Sequence, residues 1–320
     1  MLHLRIYTEA KNTPAITETL GDDPLVSGLV VVPGASVRPE GDLVLADIAR
    51  EGTNEVIDRL RELGVHREGT IHVEPVETWI SQSGFDAEQK APGSSADSVV
   101  WAEVVHRAYA DSELNWTYLS FMTLATLIAG IAIILDSQIL VIGAMVLGPE
   151  FAPVAALGLA LVRRRPKLLQ LAARTLLAGF VVSIAVTTLA TLVGRVLGWV
   201  TRADVVGARP ETDFIYTPDK WSFVVAIIAA AAGVLSLTSD RLGGLSGVFI
   251  SVTTVPAAGN IAIGLAFGIG HEILGSTLQL LLNISGMAVA GWATLQLQEA
   301  IWSRVSIRRT RLGMASPFDK

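Results

Sequence analysis

From about residue 116 to residue 297 the chain is a succession of uncharged apolar stretches, each about as long as the 18 or more residues needed to cross a bilayer. They predict six spans, at 116–135, 138–162, 168–194, 221–237, 242–267 and 272–297. The first 98 or so residues instead mix polar and apolar positions on the scale of a small soluble domain. Leu2 to Tyr7 alternates as a half-buried strand, and Thr13 opens a short helix to about Leu20. A strand at 26–32 is followed by the turn-rich PGASVRPEGD, a strand at 42–49, a helix from Thr53 that stops at Gly64, and a strand at 70–76. The order βαββαβ predicts a ferredoxin-like α+β domain with two helices on one face of a four-stranded antiparallel sheet.

These patterns divide the chain into a cytoplasmic ferredoxin-like domain (1–79), a flexible polar linker (80–97), an amphipathic helix (98–112), a six-span α-helical membrane domain (113–300) and a basic tail (301–320). In the amphipathic helix Val100, Trp101, Val104, Val105 and Ala108 share one face, while Glu103, His106 and Arg107 share the other. That pattern suits a helix lying on the membrane surface and equally a helix packed on the soluble domain.

Charge changes the picture by giving direction. The chain has 24 Lys and Arg against 30 Asp and Glu, a net charge of −6, and nothing in their distribution points to nucleic acid. The basic residues sit beside particular spans: Arg163, Arg164, Arg165 and Lys167; Arg241; and Arg304, Arg308, Arg309 and Arg311. All fall on one side if the N-terminal domain is cytoplasmic. The 199–220 loop on the other side balances Arg202, Arg209 and Lys220 with Asp204, Glu211, Asp213 and Asp219. The bias predicts a multi-pass protein of the cell membrane with both termini in the cytoplasm. The first residues carry neither a basic leader nor a cleavable apolar run, so the first span is expected to direct insertion. The absence of cysteine excludes disulfides and thiolate metal sites.

The chain also resembles itself. A shift of about 104 residues superposes the spans and brings Asp136 onto Asp240, Gly143 onto Gly247, Leu161 onto Leu265 and Leu176-Leu177 onto Leu280-Leu281, with Pro153 one residue from Pro256. Two repeats follow, at about 116–196 and 221–300. Each holds an odd number of spans, so the second must run inverted, an architecture of transporters and some channels.

The candidate chemistry lies where the repeats are interrupted. The second span carries Gly148-Pro149-Glu150 and Pro153 about halfway through, and the fifth carries Thr253, Thr254, Pro256 and Asn260. Proline removes a donor and clashes with the preceding turn, so both spans are expected to break, with Pro153 and Pro256 opening half-helices whose N-terminal ends converge. Glu150 is the one carboxylate placed near mid-membrane, a costly position unless it is paired, hydrated or protonated. With Thr253, Thr254, Asn283 and Ser285, and Ser183 at similar depth, it forms a candidate polar lining. The structural alternative is a neutral Glu150 bonded to freed backbone N–H groups or paired with Arg174. Gly243-x-x-x-Gly247 and Gly264-x-x-x-Gly268 predict close helix packing and a homo-oligomer or repeat interface. Asp136 and Asp240 read as turn caps.

The segment Val141–Val162, with Gly-Ala-Met before Gly-Pro-x-x-x-Pro, together with Pro256 after Ser246-Gly247, the Arg-rich turn and the preceding soluble domain, resembles the prokaryotic domain-of-unknown-function family 389 over about residues 1–300. This chain has Val255-Pro256 where many members have Pro-Pro. The resemblance implies a membrane protein with an N-terminal ferredoxin-like domain and carries over no substrate, cofactor or catalytic residue.

The leading functional expectation is a channel or secondary transporter for an ion or small polar solute. The competing one is a non-transporting oligomeric scaffold, or a sensor whose soluble domain receives a ligand. His3, His66 and His72 are too scattered for a metal set, and docking is favoured over sensing there. No enzyme is expected. Gly244-Leu245-Ser246-Gly247 matches a protease nucleophile pattern, but His271 lies at the far end of the span, roughly 35 Å from Ser246 at 1.5 Å per residue.

Overall fold

Four strands and two helices form early in the chain where apolar residues recur at the right period. The strands are β1 (Leu2–Thr8), β2 (Val26–Val37), β3 (Glu40–Ile48) and β4 (Thr70–Pro75). They pair antiparallel in the order β2-β3-β1-β4. Helices α1 (Thr13–Gly21), α2 (Thr53–Glu62) and the single turn α3 (Val65–Glu68) lie between them in sequence. Along β1 every second residue is buried. Leu2, Leu4 and Ile6 meet Val44, Ala46 and Ile48 of β3, Ile16 and Leu20 of α1, and Val56 and Leu60 of α2. Helices therefore cover one sheet face, and the connection order is the expected βαββαβ. Gly64 has φ of 78°, a left-handed conformation that only glycine adopts cheaply, so α2 stops there. Strand β2 runs past its expected end, to Val37, because Ser36 and Val37 pair with Gly41 and Glu40 beyond an irregularity after Val32.

The computed structural model describes residues 1–91, 98–217, 220–238 and 253–305. The chain divides into two compact units, one holding Met1–Val104 and the other Val105–Gln298. One expectation is corrected in the first unit. The stretch read as a flexible linker contains α4 (Gln82–Lys90), capped by the Ser81 hydroxyl accepting from the Gly84 N–H, with Ala87 and Ala91 buried against Ala49. Small alanines suffice to pack a short helix, and composition hid them; residues 92–97 lie outside the described residues. Helix α5 (Trp101–Asp111) follows. Asn54 donates to the Val99 carbonyl and accepts from the Trp101 N–H, and Val100 joins the sheet's core. The start of this segment is thus packed on the soluble domain.

The second unit contains α6 (Trp116–Ile134), α7 (Gln138–Leu147), α8 (Phe151–Val162), α9 (Pro166–Val196), α10 (Arg202–Val206), α11 (Lys220–Thr238), α12 (Thr254–Phe267) and α13 (Gly270–Val305). Three stretches, Trp116–Ile134, Pro166–Val196 and Gly270–Gln298, are long and apolar enough to cross a bilayer. Helices α7 and α8, bent by 56° at their junction, make a fourth if counted as one broken span. These lengths mark a membrane protein. The apolar parts of α11 and α12, Phe223–Leu235 and Thr254–Phe267, are shorter. Asp240, Arg241 and the first part of the expected fifth span, with Gly243, Ser246 and Gly247, lie outside the described residues, as does the tail from residue 306 with Arg308, Arg309 and Arg311.

Helix α12 is the centre of this unit: every residue except Leu265 is buried. Small residues allow the neighbours to close in. A Cβ on Gly259 would lie 3.0 Å from the Ala129 Cβ and the Gly130 N of α6, and one on Gly264 would lie 2.8 Å from Ile273 of α13. Gly264 therefore packs helices as its spacing suggested, while Gly268, at φ 67°, instead terminates α12. The opposite balance holds on the outside of α9, where Leu177, Val181, Leu189, Val193 and Val196 are exposed. An apolar exterior suits lipid.

Candidate functional site: two broken helices and a buried polar row

Helix α7 begins at the Ser137 cap, whose hydroxyl accepts from the Leu140 N–H, and ends at Gly148 in an extended conformation (φ −66°, ψ 124°). The cause is local: a residue before proline is pushed out of the helical region, and Pro149 follows. Glu150 then occupies the N-cap of α8, with Pro153 at its third position. Helix α12 repeats the arrangement, with Thr253 at the N-cap and Pro256 third. Proline there needs no intrahelical donor.

The starts of α8 and α12 meet. Glu150 Oε1 accepts from the Thr254 hydroxyl at 2.6 Å. Glu150 is 6 % exposed, and its Oε2 has no hydrogen-bond partner among the described residues. Gly148 makes room for that carboxylate, since a Cβ there would lie 2.2 Å from Oε2 and 2.7 Å from Val255 Cγ2. The adjacent Thr253 hydroxyl accepts from Gln279 Nε2 and Asn283 Nδ2, both at 3.1 Å. Further along α12, Asn260 donates to the Ser276 hydroxyl at 2.9 Å and accepts from Arg209 Nη1 at 3.4 Å. Arg209 Nη2 donates to Glu272 Oε1 at 2.6 Å, in an ion pair whose two side chains are each 3 % exposed.

Glu272, Ser276, Gln279 and Asn283 are spaced four, three and four residues apart, which sets them on one stripe of α13. They cover roughly 16 Å at 1.5 Å per residue. With Arg209, Asn260, Thr253, Thr254 and Glu150 they form a largely buried polar row of three hydrogen-bonded groups. Four atoms along it have no partner among the described residues: Glu150 Oε2, Gln279 Oε1, Glu272 Oε2 and Arg209 Nε. Buried polar groups are ordinarily satisfied, so the row is polar beyond what its own hydrogen bonds account for.

The sequence-derived set is therefore largely gathered. Glu150, Thr253, Thr254, Asn260 and Asn283 belong to the row, and Pro149, Pro153 and Pro256 shape the breaks beside it. Ser285 does not belong. It is exposed and donates to the Leu281 carbonyl of its own helix, because two residues beyond Asn283 a helix presents nearly its opposite face. Ser183 is buried but donates to Phe180 O within α9. Arg174 is exposed and makes no ion pair with Glu150.

Arg209, Glu272, Ser276 and Gln279 were not singled out from the sequence as site residues. The stripe on α13 was available as a spacing; the inward course of Arg209 was not, since a loop arginine normally remains in water. Asp136 is not the cap expected of it, since Ser137 caps α7. At φ 45° it accepts from the Thr212 hydroxyl at 2.8 Å and the Glu211 N–H at 3.4 Å, and so anchors the loop that carries Arg209. Within that loop Asp204 closes a capping box at the head of α10, and the Thr201 N–H and hydroxyl hold its carboxyl below the usual carboxylate range. Among the described residues no cluster of His, Asp and Glu has the geometry of a metal site.

Comparison with known proteins agrees with the resemblance read from the sequence. Residues 145–289, which include the α7–α8 break, the start of α12 and the whole of the row, match the model of the family described as "Domain of unknown function (DUF389)". An uncharacterized protein of Methanocaldococcus jannaschii is 24 % identical over 240 residues, covering 74 % of this chain and 70 % of that protein. No solved structure matches.

Proposed function

We propose that the chain is a channel or secondary transporter for an ion or small polar solute, with its central site where α8 and α12 meet. The observation that carries this is the buried polar row ending at Glu150, together with its unpartnered atoms. Interhelical glue satisfies its own groups, so a purely scaffolding role leaves these orphans unexplained. A path that admits water or solute gives each of them a partner.

In this reading the membrane unit has six spans in two inverted repeats. The interval between repeats supports it: α6 and α11 begin at Trp116 and Lys220, and α9 and α13 begin at Pro166 and Gly270. Each pair is offset by 104 residues, against 103 between the N-caps Glu150 and Thr253 and between Pro153 and Pro256. In this reading the two repeats meet near their two-fold axis, one residue out of strict equivalence, at the Glu150–Thr254 contact. Two helix N-termini point at it and favour negative charge, whereas an ionised Glu150 favours a cation. A protonatable Glu150 permits proton coupling in either case. The proposed setting is the cell membrane, with both termini cytoplasmic and subunits associating as a homo-oligomer.

The test is flux through proteoliposomes holding the purified full chain, measured over a panel of monovalent ions and small polar solutes. Wild-type protein should pass at least one species, and Glu150→Gln should lose or reshape that flux. No flux of any species rejects the reading in favour of the scaffold or sensor.

A further inference from the structure

We infer that the extramembrane loop at residues 197–217 is the gate of this polar row, with the Arg209–Glu272 ion pair as its latch. The inference rests on the permeation reading above and adds where and how the path is closed.

Glu272 stands at the head of α13 and is the first member of the row; Ser276 and Asn260 follow, then Gln279, Thr253 and Asn283, then Glu150. Arg209 belongs to no span, yet its side chain is as buried as that of Glu272. Its guanidinium lies 5.3 Å from the centroid of the Tyr216 ring. Gly275 lets the loop press against α13, for a Cβ there would meet the Tyr216 carbonyl oxygen at 2.2 Å. Outside the row the loop is held a second time, by the Asp136 carboxylate on Thr212 and Glu211. One end of the row is therefore covered by a separate piece of chain fastened at two points.

The chemistry of the fastening distinguishes a latch from a staple. A buried ion pair adds little stability over apolar packing of the same size, because desolvation offsets the attraction. Separating its partners inside the protein is strongly unfavourable, whereas separating them into water is not. Such a contact is satisfied fully closed or fully open and resists the states between. A loop evolved only to hold the fold needs no charge in the interior. Here the two unpartnered atoms, Arg209 Nε and Glu272 Oε2, leave the pair incompletely bonded even when shut.

The chain contains no cysteine, so Ser276→Cys places a single thiol one turn below the latch with little change of volume. The full-length variant is reconstituted in sealed vesicles, and a charged, membrane-impermeant thiol reagent is added on the face that carries the 197–217 loop. With the latch intact the thiol should react slowly. Adding Glu272→Gln strands Arg209 and should raise the rate about tenfold or more, as expected when one partner of a buried pair is removed from a two-state element. Thr212→Val removes the shorter of the loop's two bonds to Asp136 without touching the row and should raise the rate as well, which covers the case in which Glu272→Gln does not fold. Equal rates in all three backgrounds overturn the gate even if flux is present. Raised rates with no flux of any species in any background keep the loop as a cover over a hydrated row and reject permeation instead.

Discussion

Glu150 and Thr254 are hydrogen-bonded to each other at 2.6 Å across a sequence separation of 104 residues, the interval at which the helices of this chain begin again. The contact joins the first residues of two half-helices, so its two sides have different consequences. Thr254→Val leaves both Glu150 oxygens unpartnered in the interior, at a cost of about 1–3 kcal/mol. Glu150→Gln keeps an acceptor for Thr254 and removes only the ionisable group. The first variant should melt earlier than wild type in the same detergent, and the second should melt within a degree or two of it. Equal melting of all three would mean that the bond does not hold the breaks together.

Packing at the same break predicts a contrast in cost between two glycines five residues apart, Gly143 and Gly148. Gly143, inside α7, has nothing within 4 Å of where a Cβ would stand, whereas at Gly148 a Cβ would strike the Glu150 carboxylate and Val255. Gly143→Ala should therefore be neutral or stabilising by about 0.5–1 kcal/mol through helix propensity. Gly148→Ala should destabilise by about 1–3 kcal/mol through overpacking. Thermal or denaturant unfolding of the purified variants decides; equal effects would contradict the close approach of α7 to α12.

The breaks and the soluble sheet were legible in the sequence for different reasons. Alternation fixes which residues of β1 face inward, and a proline such as Pro149 or Pro256 forbids an undisturbed helix wherever the chain goes. Residue counts along the expected spans were enough to bring Glu150 and Asn283 to the neighbouring hydroxyls of Thr254 and Thr253. Helix face was not used, and Ser285 was misplaced for that reason. What sequence hides is tertiary: the loop course that carries Arg209 to Glu272, and the small-residue packing of Ala87 and Ala91 that makes a helix of an apparently polar linker.

The soluble unit should lose stability in acid. Asp42 accepts from the Thr13 hydroxyl at 2.6 Å and from the Gly34 N–H at 2.9 Å, and these bonds, the hydroxyl first, hold its carboxyl below the usual range. A depressed folded-state value means that the contribution is fully present above the unfolded value of about 3.9 and fades as the pH falls toward the folded one. Amide exchange in α1 and β3 should quicken below about pH 4 in wild type, with a weaker pH dependence in Asp42→Asn. An identical acid response in both would assign the effect to other groups.

The proposed six-span arrangement makes a statement about which turns share a membrane face. The Asp136–Thr212 bond joins the α6–α7 turn to the 197–217 loop, and the proposal sets Arg164, at the α8–α9 turn, on the opposite face. Single cysteines at Ser137, Arg202 and Arg164 in the cysteine-free chain should label in that pattern with an impermeant reagent: Ser137→Cys and Arg202→Cys from one side, Arg164→Cys from the other. Labelling of all three from one side would show that α7 and α8 turn back without crossing.

The central claim is that the starts of α8 and α12 share one site, and exchanging the two residues that join them tests it most directly. Solute flux is measured in proteoliposomes for Glu150→Thr alone and for Glu150→Thr combined with Thr254→Glu. The single variant should be inactive, and the exchange, which restores a carboxylate and a hydroxyl to the same contact from opposite sides, should recover flux. A folded exchange variant as inactive as the single one, or a single variant as active as wild type, would contradict the account.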